Sequence, residues 1–298
     1  MTDRHPVSPD RQTALADFVA ALDLTDTGAR THEDIFTGPS QHMPHGRVFG
    51  GQVLAQTVMA AQRTVAADRI IHSMHGYFLR PGDPAQPITF AVDRIHDGRS
   101  FSARRTQAYQ NGVPIFSMIA SFQLATNGVE HQQDMPAGIP GPEELPAGTN
   151  LRPMGAHPLT LNPLVLVSPF EFRVVPDLPS NPAEPPYDAI WIRAVGRLPD
   201  DPHLHRAALA YASDYTVLAS AMHLHGLTLA AKPGLKVASL DHVMWWHRFA
   251  RADEWMLFIQ ASPNTGGGRG LGQGRVYDES GRLLASVGQE GMIRVPAD

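Results

Sequence analysis

The chain has no cysteine among its 298 residues. This absence excludes thiol nucleophiles, thiolate metal sites and disulfide bonds, so covalent catalysis would need another group. Lysine is nearly absent as well, since only Lys232 and Lys236 occur. The net charge of −5 argues against the basic surface typical of nucleic-acid binding. The positive charge is almost entirely arginine, which favours local contacts with phosphate or carboxylate groups.

Long apolar runs are also missing, because no stretch approaches the length of a membrane span. The first residues are polar with mixed charge, and the last four, VPAD, are not a peroxisomal signal. We therefore expect a cytoplasmic protein with no stable membrane anchor and no nucleic-acid partner. The hydrophobic content of 43% is enough for the core of one large domain or two modest ones.

Two common catalytic signatures are absent. No G-x-S-x-G elbow of a serine hydrolase occurs, and no window of the run GGGRGLGQG fits the dinucleotide-binding pattern G-x-G-x-x-G. The histidines include four close pairs, but none has the HExxH context or a cysteine partner, so we expect no metal. These pairs are His72/His75, His203/His205, His223/His225 and His242/His247.

The first half of the chain has the pattern of a leading helix, a short strand, a long helix and several further strands. Helical apolar spacing behind a serine and a proline predicts a helix over residues 9 to 23, and a short strand follows around Asp34 to Thr37. Gly50 and Gly51 open a second helix, whose apolar spacing is typical of burial along one side. From 70 to 123 the pattern alternates, with Asp-Gly and Asn-Gly hairpin signals.

The second half repeats this pattern at nearly constant spacing, with offsets between 164 and 170 positions. The aligned pairs are Gly50 with Asp214, His72 with Ser239, Arg99 with Arg269 and Ala120 with Gln289. The repeat predicts an α+β fold of two copies, each a long helix wrapped by an antiparallel sheet, with the two sheets joined into one. We place the first copy with its leading helix at 1–125, a Pro-rich linker at 126–168 and the second copy at 169–298.

The two copies differ in chemistry at three aligned positions. The second copy has Asp214, Ser239 and Gln289 where the first has glycine, histidine and alanine. Each residue alone has an ordinary explanation: a helix N-cap for the acid, a backbone-bonded hydroxyl, and an exposed strand amide. Because all three polar groups occur in one copy, on elements that must adjoin, they indicate a site built there.

Several long motifs in the right order resemble the acyl-CoA thioesterase II family, over about residues 35 to 294. They are VFGGQVLAQ, HSMHGYFLRPGD, DGRSFSARR, QNGVPIFSMIASFQ, FEFR, LAYASD, SLDHVMWWHR and GQEGM. The resemblance implies a double hotdog fold, hydrolysis of fatty acyl-CoA without metal or organic cofactor, and a homo-oligomer, a dimer or tetramer. It also implies that Asp214 and Gln289 are catalytic, together with Ser239, where the family typically has threonine.

These groups permit a direct hydrolysis in which Asp214, Ser239 and Gln289 hold the attacking water. A helix N-terminus would lower the pKa of Asp214, so we expect orientation and charge stabilisation to outweigh proton abstraction, unless burial raises that pKa. The Gly50-Gly51 turn is a candidate for substrate contact and oxyanion donation. Arginines are candidates either for CoA phosphates or for ordinary surface positions: Arg104, Arg105 and Arg269. Aromatic residues suit either an acyl tunnel or the core: Phe49, Tyr77, Phe78, Trp245 and Trp246.

Two other classes of function remain open at this level. The first is an acyl-CoA or lipid-binding protein that keeps the fold without hydrolysis. The second is a hydratase or dehydratase of the same fold, acting on an enoyl or hydroxyacyl thioester. Release of free thiol from acyl-CoA separates them, because only a thioesterase produces it.

Overall fold

The computed structural model describes residues 9–30, 32–41, 43, 46–145, 168–176, 178, 186–227 and 234–296. The predicted leading helix, short strand and glycine-initiated helix all form. The elements of the first half are α1 Pro9–Leu22, β1 Thr25–Arg30, β2 Glu33–Gly38, α2 Gly50–Gln62, β3 Arg69–Phe78, β4 Ile88–Asp97, β5 Phe101–Gln110 and β6 Val113–Leu124. The Asn-Gly hairpin signal is confirmed between β5 and β6, where Asn111 and Gly112 both have positive φ, 49° and 74°.

The second half has the same order of strands after its helix. Its elements are β7 Phe170–Val174, β8 Asp188–Ala194, α3 Pro202–Ser213, α4 Ala219–His223, β9 Lys236–Ser239, β10 Asp241–Trp246, β11 Met256–Gly266, β12 Arg269–Asp278 and β13 Leu283–Arg294. β5 and β12 are offset by 168 positions, and β6 and β13 by 170, as the repeat requires. β9 and β10 together occupy the place of the single strand β3.

The strands form one antiparallel sheet in the order β1-β2-β4-β5-β6-β3-β10-β13-β12-β11-β8-β7, with β9 paired to β13. This order is symmetric about its centre, where β3 pairs with β10, for example Val243 opposite His75. On either side of that junction, each strand of the first copy has its counterpart at the same distance in the second. The predicted α+β architecture of two copies sharing a continuous sheet is therefore confirmed.

The helices are where the two copies depart from the predicted repeat. We expected Asp214 to begin a helix, and this was wrong: α3 begins at Pro202, and Asp214 is the residue that follows its last turn. Asp201 supplies the real N-cap, since its side chain accepts from the His203 N–H at 2.8 Å. After Asp214 the chain runs through turns before the short helix α4.

Helix α2 is buried on every side rather than along one, because all its residues from Gly51 to Gln62 are buried. Its polar side chains are therefore paired inside the protein. Gln52 Nε2 donates to the carbonyl of Pro39 at 2.9 Å, and Gln56 Nε2 donates to the carbonyl of Ala21 at 2.9 Å. These bonds attach α1 and the segment after β2 to the central helix.

The predicted domain division stays a prediction, with β6 ending at Leu124 and β7 beginning at Phe170. Of the predicted linker, positions 146–167 lie outside the described residues. The preceding part packs against the second copy, since Trp191 Nε1 donates to the carbonyl of Pro140 at 2.9 Å and Trp255 Nε1 to Glu143 at 3.0 Å. It includes a single 3₁₀ turn, Pro142–Glu144.

Candidate active site

Three polar residues of the second copy meet at one point. Gln289 on β13 is 1% exposed, and its Nε2 donates to Asp214 Oδ1 at 3.0 Å and to Ser239 Oγ at 2.5 Å. Ser239 reaches this point because β9 pairs with β13, which places it opposite Gly291. The structure thus brings together Asp214, Ser239 and Gln289, from three separate elements.

Burial and hydrogen bonding have opposite effects on the pKa of Asp214. The residue keeps some contact with solvent, yet protein surrounds its carboxyl group, and this burial raises the pKa of Asp214 to about 7. Hydrogen bonds from Gln289 and from the backbone N–H of Gly51 oppose the shift. We expected a helix N-terminus of its own to lower this pKa, but Asp214 lies at the C-terminal end of α3, so that expectation was wrong.

The first copy contributes the start of α2 to the same place. An added Cβ at Gly50 would lie 2.6 Å from Asp214 Oδ2, and one at Gly51 would overlap the backbone carbonyl of Tyr211. These two glycines therefore let α2 approach the end of α3 closely. The Gly51 N–H lowers the pKa of Asp214, so the turn supports the acid, and its role as an oxyanion donor stays a prediction.

We predict that Gly50→Ala lowers kcat by up to about 10²-fold, because the new methyl group would displace the Asp214 carboxyl by a fraction of an ångström to an ångström. Folding stability should change less than activity, since the atoms in conflict, Asp214 Oδ2 and the edge of the Phe78 ring, are the ends of side chains. Steady-state kinetics and thermal unfolding measure both. Gly128→Ala is the matched control, since an added Cβ there meets nothing within 4 Å; equal activity of the two variants would contradict the close approach.

Arg104 was a candidate for contact with a CoA phosphate, and the structure contradicts this. It is 1% exposed, and all five of its N–H groups have acceptors inside the protein. The acceptors are Thr64 Oγ1, Thr64 O, His96 O, Ala103 O and the Asp97 carboxylate. The side chain therefore joins the turn after α2 to the β4–β5 hairpin, and it has no donor left for a ligand phosphate.

The other two arginines are exposed and ion-paired. Arg105 lies 3.1 Å from Asp93, and Arg269 Nε lies 2.9 Å from Glu290 Oε1. Their guanidinium groups keep further donors, so a phosphate contact stays a prediction for both. Glu290 directly follows Gln289 in β13, so the Arg269–Glu290 pair lies on the opposite face of the sheet from Gln289.

The aromatic residues divide between the site and the surface. Phe78 lies near the Asp214 carboxyl group, because both are close to an added Cβ at Gly50. Phe49 packs in the core against the rings of Tyr211 and Tyr215. Tyr77 and Trp245 are 53% and 45% exposed, so they lie on the surface of the chain and not in its core. Trp246 is buried in the core.

One buried residue of the site was not identified from the sequence. His242 is 0% exposed; its Nδ1 lies 2.8 Å from Gln289 Oε1, and its Nε2 lies 2.9 Å from Ser213 Oγ. Burial lowers the pKa of His242 to about 4, so the ring is neutral at physiological pH. Its sequence signal is its position directly after Asp241 in SLDHVMWWHR, whereas the histidine pairs alone suggest only a metal site. Within the described part of the chain, no three potential metal-binding side chains come together.

The carboxylate of Asp241 fixes the break between β9 and β10. Its Oδ1 accepts from the Glu290 N–H at 2.7 Å, and its Oδ2 lies 3.1 Å from His75 Nε2 across the junction of the two copies. The neighbouring Leu240 N–H donates to the Glu290 carbonyl at 2.9 Å. This local pairing places Ser239 and His242 on either side of Gln289.

Comparison with known proteins gives one consistent result. Residues 39–123 match the model of an acyl-CoA thioesterase N-terminal domain, and residues 182–292 match the model of acyl-CoA thioesterase. Acyl-CoA thioesterase 2 of Haemophilus influenzae is 38% identical, over 87% of this chain and 92% of that protein. Acyl-coenzyme A thioesterase 8 of Homo sapiens is 37% identical, over 98% of this chain and 93% of that protein.

Solved structures agree. An acyl-CoA thioesterase II from Mycobacterium marinum superposes with a TM-score of 0.79 at 42% identity, over 95% of this chain and 99% of that chain. A hot dog fold protein from Alicyclobacillus acidocaldarius, with a TM-score of 0.74 at 18% identity over 94% of this chain and 98% of that chain, shares the fold.

Proposed function

The chain belongs to the acyl-CoA thioesterase II family, and from this we propose that it hydrolyses fatty acyl-CoA by direct attack of a water held by Asp214, Ser239 and Gln289. The family and the double hotdog fold make it an acyl-CoA thioester hydrolase. The observation that carries the detailed proposal is the convergence of a carboxyl, a hydroxyl and an amide through two hydrogen bonds to Gln289 Nε2.

In this mechanism Asp214 is the general base. With a pKa of about 7, the carboxylate is matched to proton abstraction at neutral pH, because a general base works best when its pKa is near the working pH. The water oxygen attacks the thioester carbonyl carbon while its proton passes to Asp214. The tetrahedral intermediate then expels the CoA thiolate, which takes the proton from Asp214 and restores the carboxylate.

Ser239 and Gln289 orient the water and the carboxylate. The hydroxyl of Ser239 can donate and accept, and it shares the Nε2 of Gln289 with Asp214. Three neighbouring polar groups fix the direction of attack, which lowers the entropic part of the barrier. The structure thereby supports a stronger base than the sequence pattern predicted.

A panel of acyl-CoA substrates, with titration of released thiol and analysis of the acid product, tests this function. We expect thiol and free acid to appear together, with no burst of thiol and no acyl adduct in the intact mass of the enzyme. Binding without thiol release would favour the lipid-binding alternative, and a hydrated or dehydrated thioester product would favour the hydratase. An acyl adduct on the protein would contradict direct attack by water.

Ser239→Ala should lower kcat by about tenfold, the equivalent of about 1.4 kcal/mol for one lost hydrogen bond. Ser239→Thr should remain active, because it keeps the hydroxyl and adds a methyl that restricts χ1. Steady-state kinetics on one acyl-CoA compares the two variants. Full activity in Ser239→Ala would remove the hydroxyl from the proposed site.

We also propose a cytoplasmic homo-oligomer that takes acyl-CoA from solution. No helix within the described residues is long and apolar enough to cross a membrane. Light scattering coupled to size exclusion measures the oligomeric state directly, and a single species of about 32 kDa, the mass of one chain, would contradict the oligomer. Fluorescent tagging and cell fractionation test the compartment.

A further inference from the structure

The side-chain amide of Gln289 can face the site in two opposite ways. A half-turn about its last bond exchanges the NH₂ donor and the carbonyl acceptor at almost no cost in shape. With Nε2 toward the site, the amide donates to both Asp214 and Ser239. With Oε1 there instead, two oxygens would face each other beside the carboxylate that must accept a proton. Something must therefore hold the amide in one orientation.

We propose that His242 is the positioning residue that holds Gln289 in its donating orientation, with Ser213 selecting the ring tautomer. This inference rests on the proposed function, because it concerns the same site. Nδ1 of His242 lies 2.8 Å from Gln289 Oε1, the far end of the amide. An N–H at Nδ1 satisfies that oxygen, and the NH₂ group then points at Asp214 and Ser239.

The buried ring can carry only one such proton. His242 is neutral because burial lowers its pKa, so its second nitrogen, Nε2, must act as an acceptor. Ser213 Oγ lies 2.9 Å from that nitrogen, close enough for its hydroxyl to donate there. The same hydroxyl lies 2.8 Å from the carbonyl of Ala210, and its single proton serves only one of the two acceptors at a time.

The hydrogen bonds form a closed path, since Ser213 and Asp214 are neighbours in the chain. The path runs from Asp214 through Gln289 and His242 to Ser213, and so returns to the end of α3. If the Ser213 proton turned to Ala210, His242 would need its proton at Nε2, and Gln289 would have to present its oxygen to Asp214. Three groups would change together, so one hydroxyl determines the orientation of an amide on the opposite side of the ring.

Two amide substitutions at His242 test the roles of its two ring nitrogens separately. His242→Asn places an amide N–H near the position of Nδ1, whereas His242→Gln reaches toward the position of Nε2 and leaves Gln289 Oε1 without its donor. We expect His242→Gln to lose about 10²-fold in kcat with KM unchanged, and His242→Asn to recover most of that loss. His247→Asn is the matched control, because His247 also lies 2.9 Å from a serine hydroxyl, that of Ser286, but outside the site.

Nitrogen NMR of the wild-type protein, labelled with ¹⁵N-histidine, reads the tautomer directly and without substrate. We expect the protonated nitrogen of His242 to be Nδ1, and Ser213→Ala to shift the resonances toward a mixture of tautomers. A wild-type proton at Nε2, or equal kcat in the Asn and Gln variants, would overturn the inference. This measurement does not depend on turnover, so it stands even if an active Asp214→Asn variant disproves the proposed hydrolytic site. A variant that fails to fold leaves the wild-type spectrum as the deciding result.

Discussion

Replacing Asp214 by asparagine is expected to lower kcat by about 10²- to 10⁴-fold, the usual contribution of a general base, while KM changes little. Asparagine has nearly the same shape but no group that accepts a proton from water. Its side-chain oxygen can accept from Gln289 Nε2, as Asp214 Oδ1 does at 3.0 Å. The loss should therefore appear in the chemical step, and single-turnover kinetics with one acyl-CoA measures that step.

Asp34→Asn provides the matched control for this substitution. Asp34 is also a buried acid, and it is paired with Arg94 at 2.7 Å in the first copy. Its replacement should leave kcat close to that of the wild type. Turnover in Asp214→Asn within about tenfold of wild type would mean that the carboxylate does not act as the base.

The sheet was the part that sequence predicts best, because its signals are local. Hairpins such as Asn111-Gly112 need positive φ, which few residues adopt easily, and the alternating pattern then sets the register. The helix start of the second copy was misplaced for a related reason. Apolar residues continue on both sides of Asp214, so their spacing does not reveal the turns that separate α3 from α4.

The residues of the candidate site were identified from the sequence, but the part that each copy contributes was not. Comparing the halves placed the three catalytic candidates in the second copy and left the Gly50-Gly51 turn of the first as a candidate for substrate contact, but it did not predict that these glycines lie against Asp214. Pairing of this kind depends on packing between helices distant in sequence, which no local pattern encodes. The different positions of Arg104 and Arg105 have the same cause. Adjacent strand residues face opposite sides of the sheet, but only the fold shows that Thr64 and Asp97 accept hydrogen bonds from Arg104.

The pKa of Asp214 also has a consequence for stability. In the folded protein burial raises this pKa from 3.8 to about 7, so between those values the folded state keeps a proton that the unfolded chain has released. Stability from this group is therefore complete below about pH 4 and is lost as pH rises through 7. The protein reaches neutral pH with a buried carboxylate that favours catalysis and weakens the fold.

Asp214→Asn should therefore become more stable than the wild type as pH rises. An asparagine has no proton to release, so the difference in unfolding free energy between variant and wild type should grow by about 3 kcal/mol from pH 5 to pH 8. Urea denaturation of both proteins at several pH values measures it. Ionisable groups remote from this hydrogen-bond network titrate in the same way in both proteins and cancel in the difference. A difference that stays constant from pH 5 to pH 8 would show that the pKa is not raised, which would leave Asp214 too weak a base for the proposed reaction.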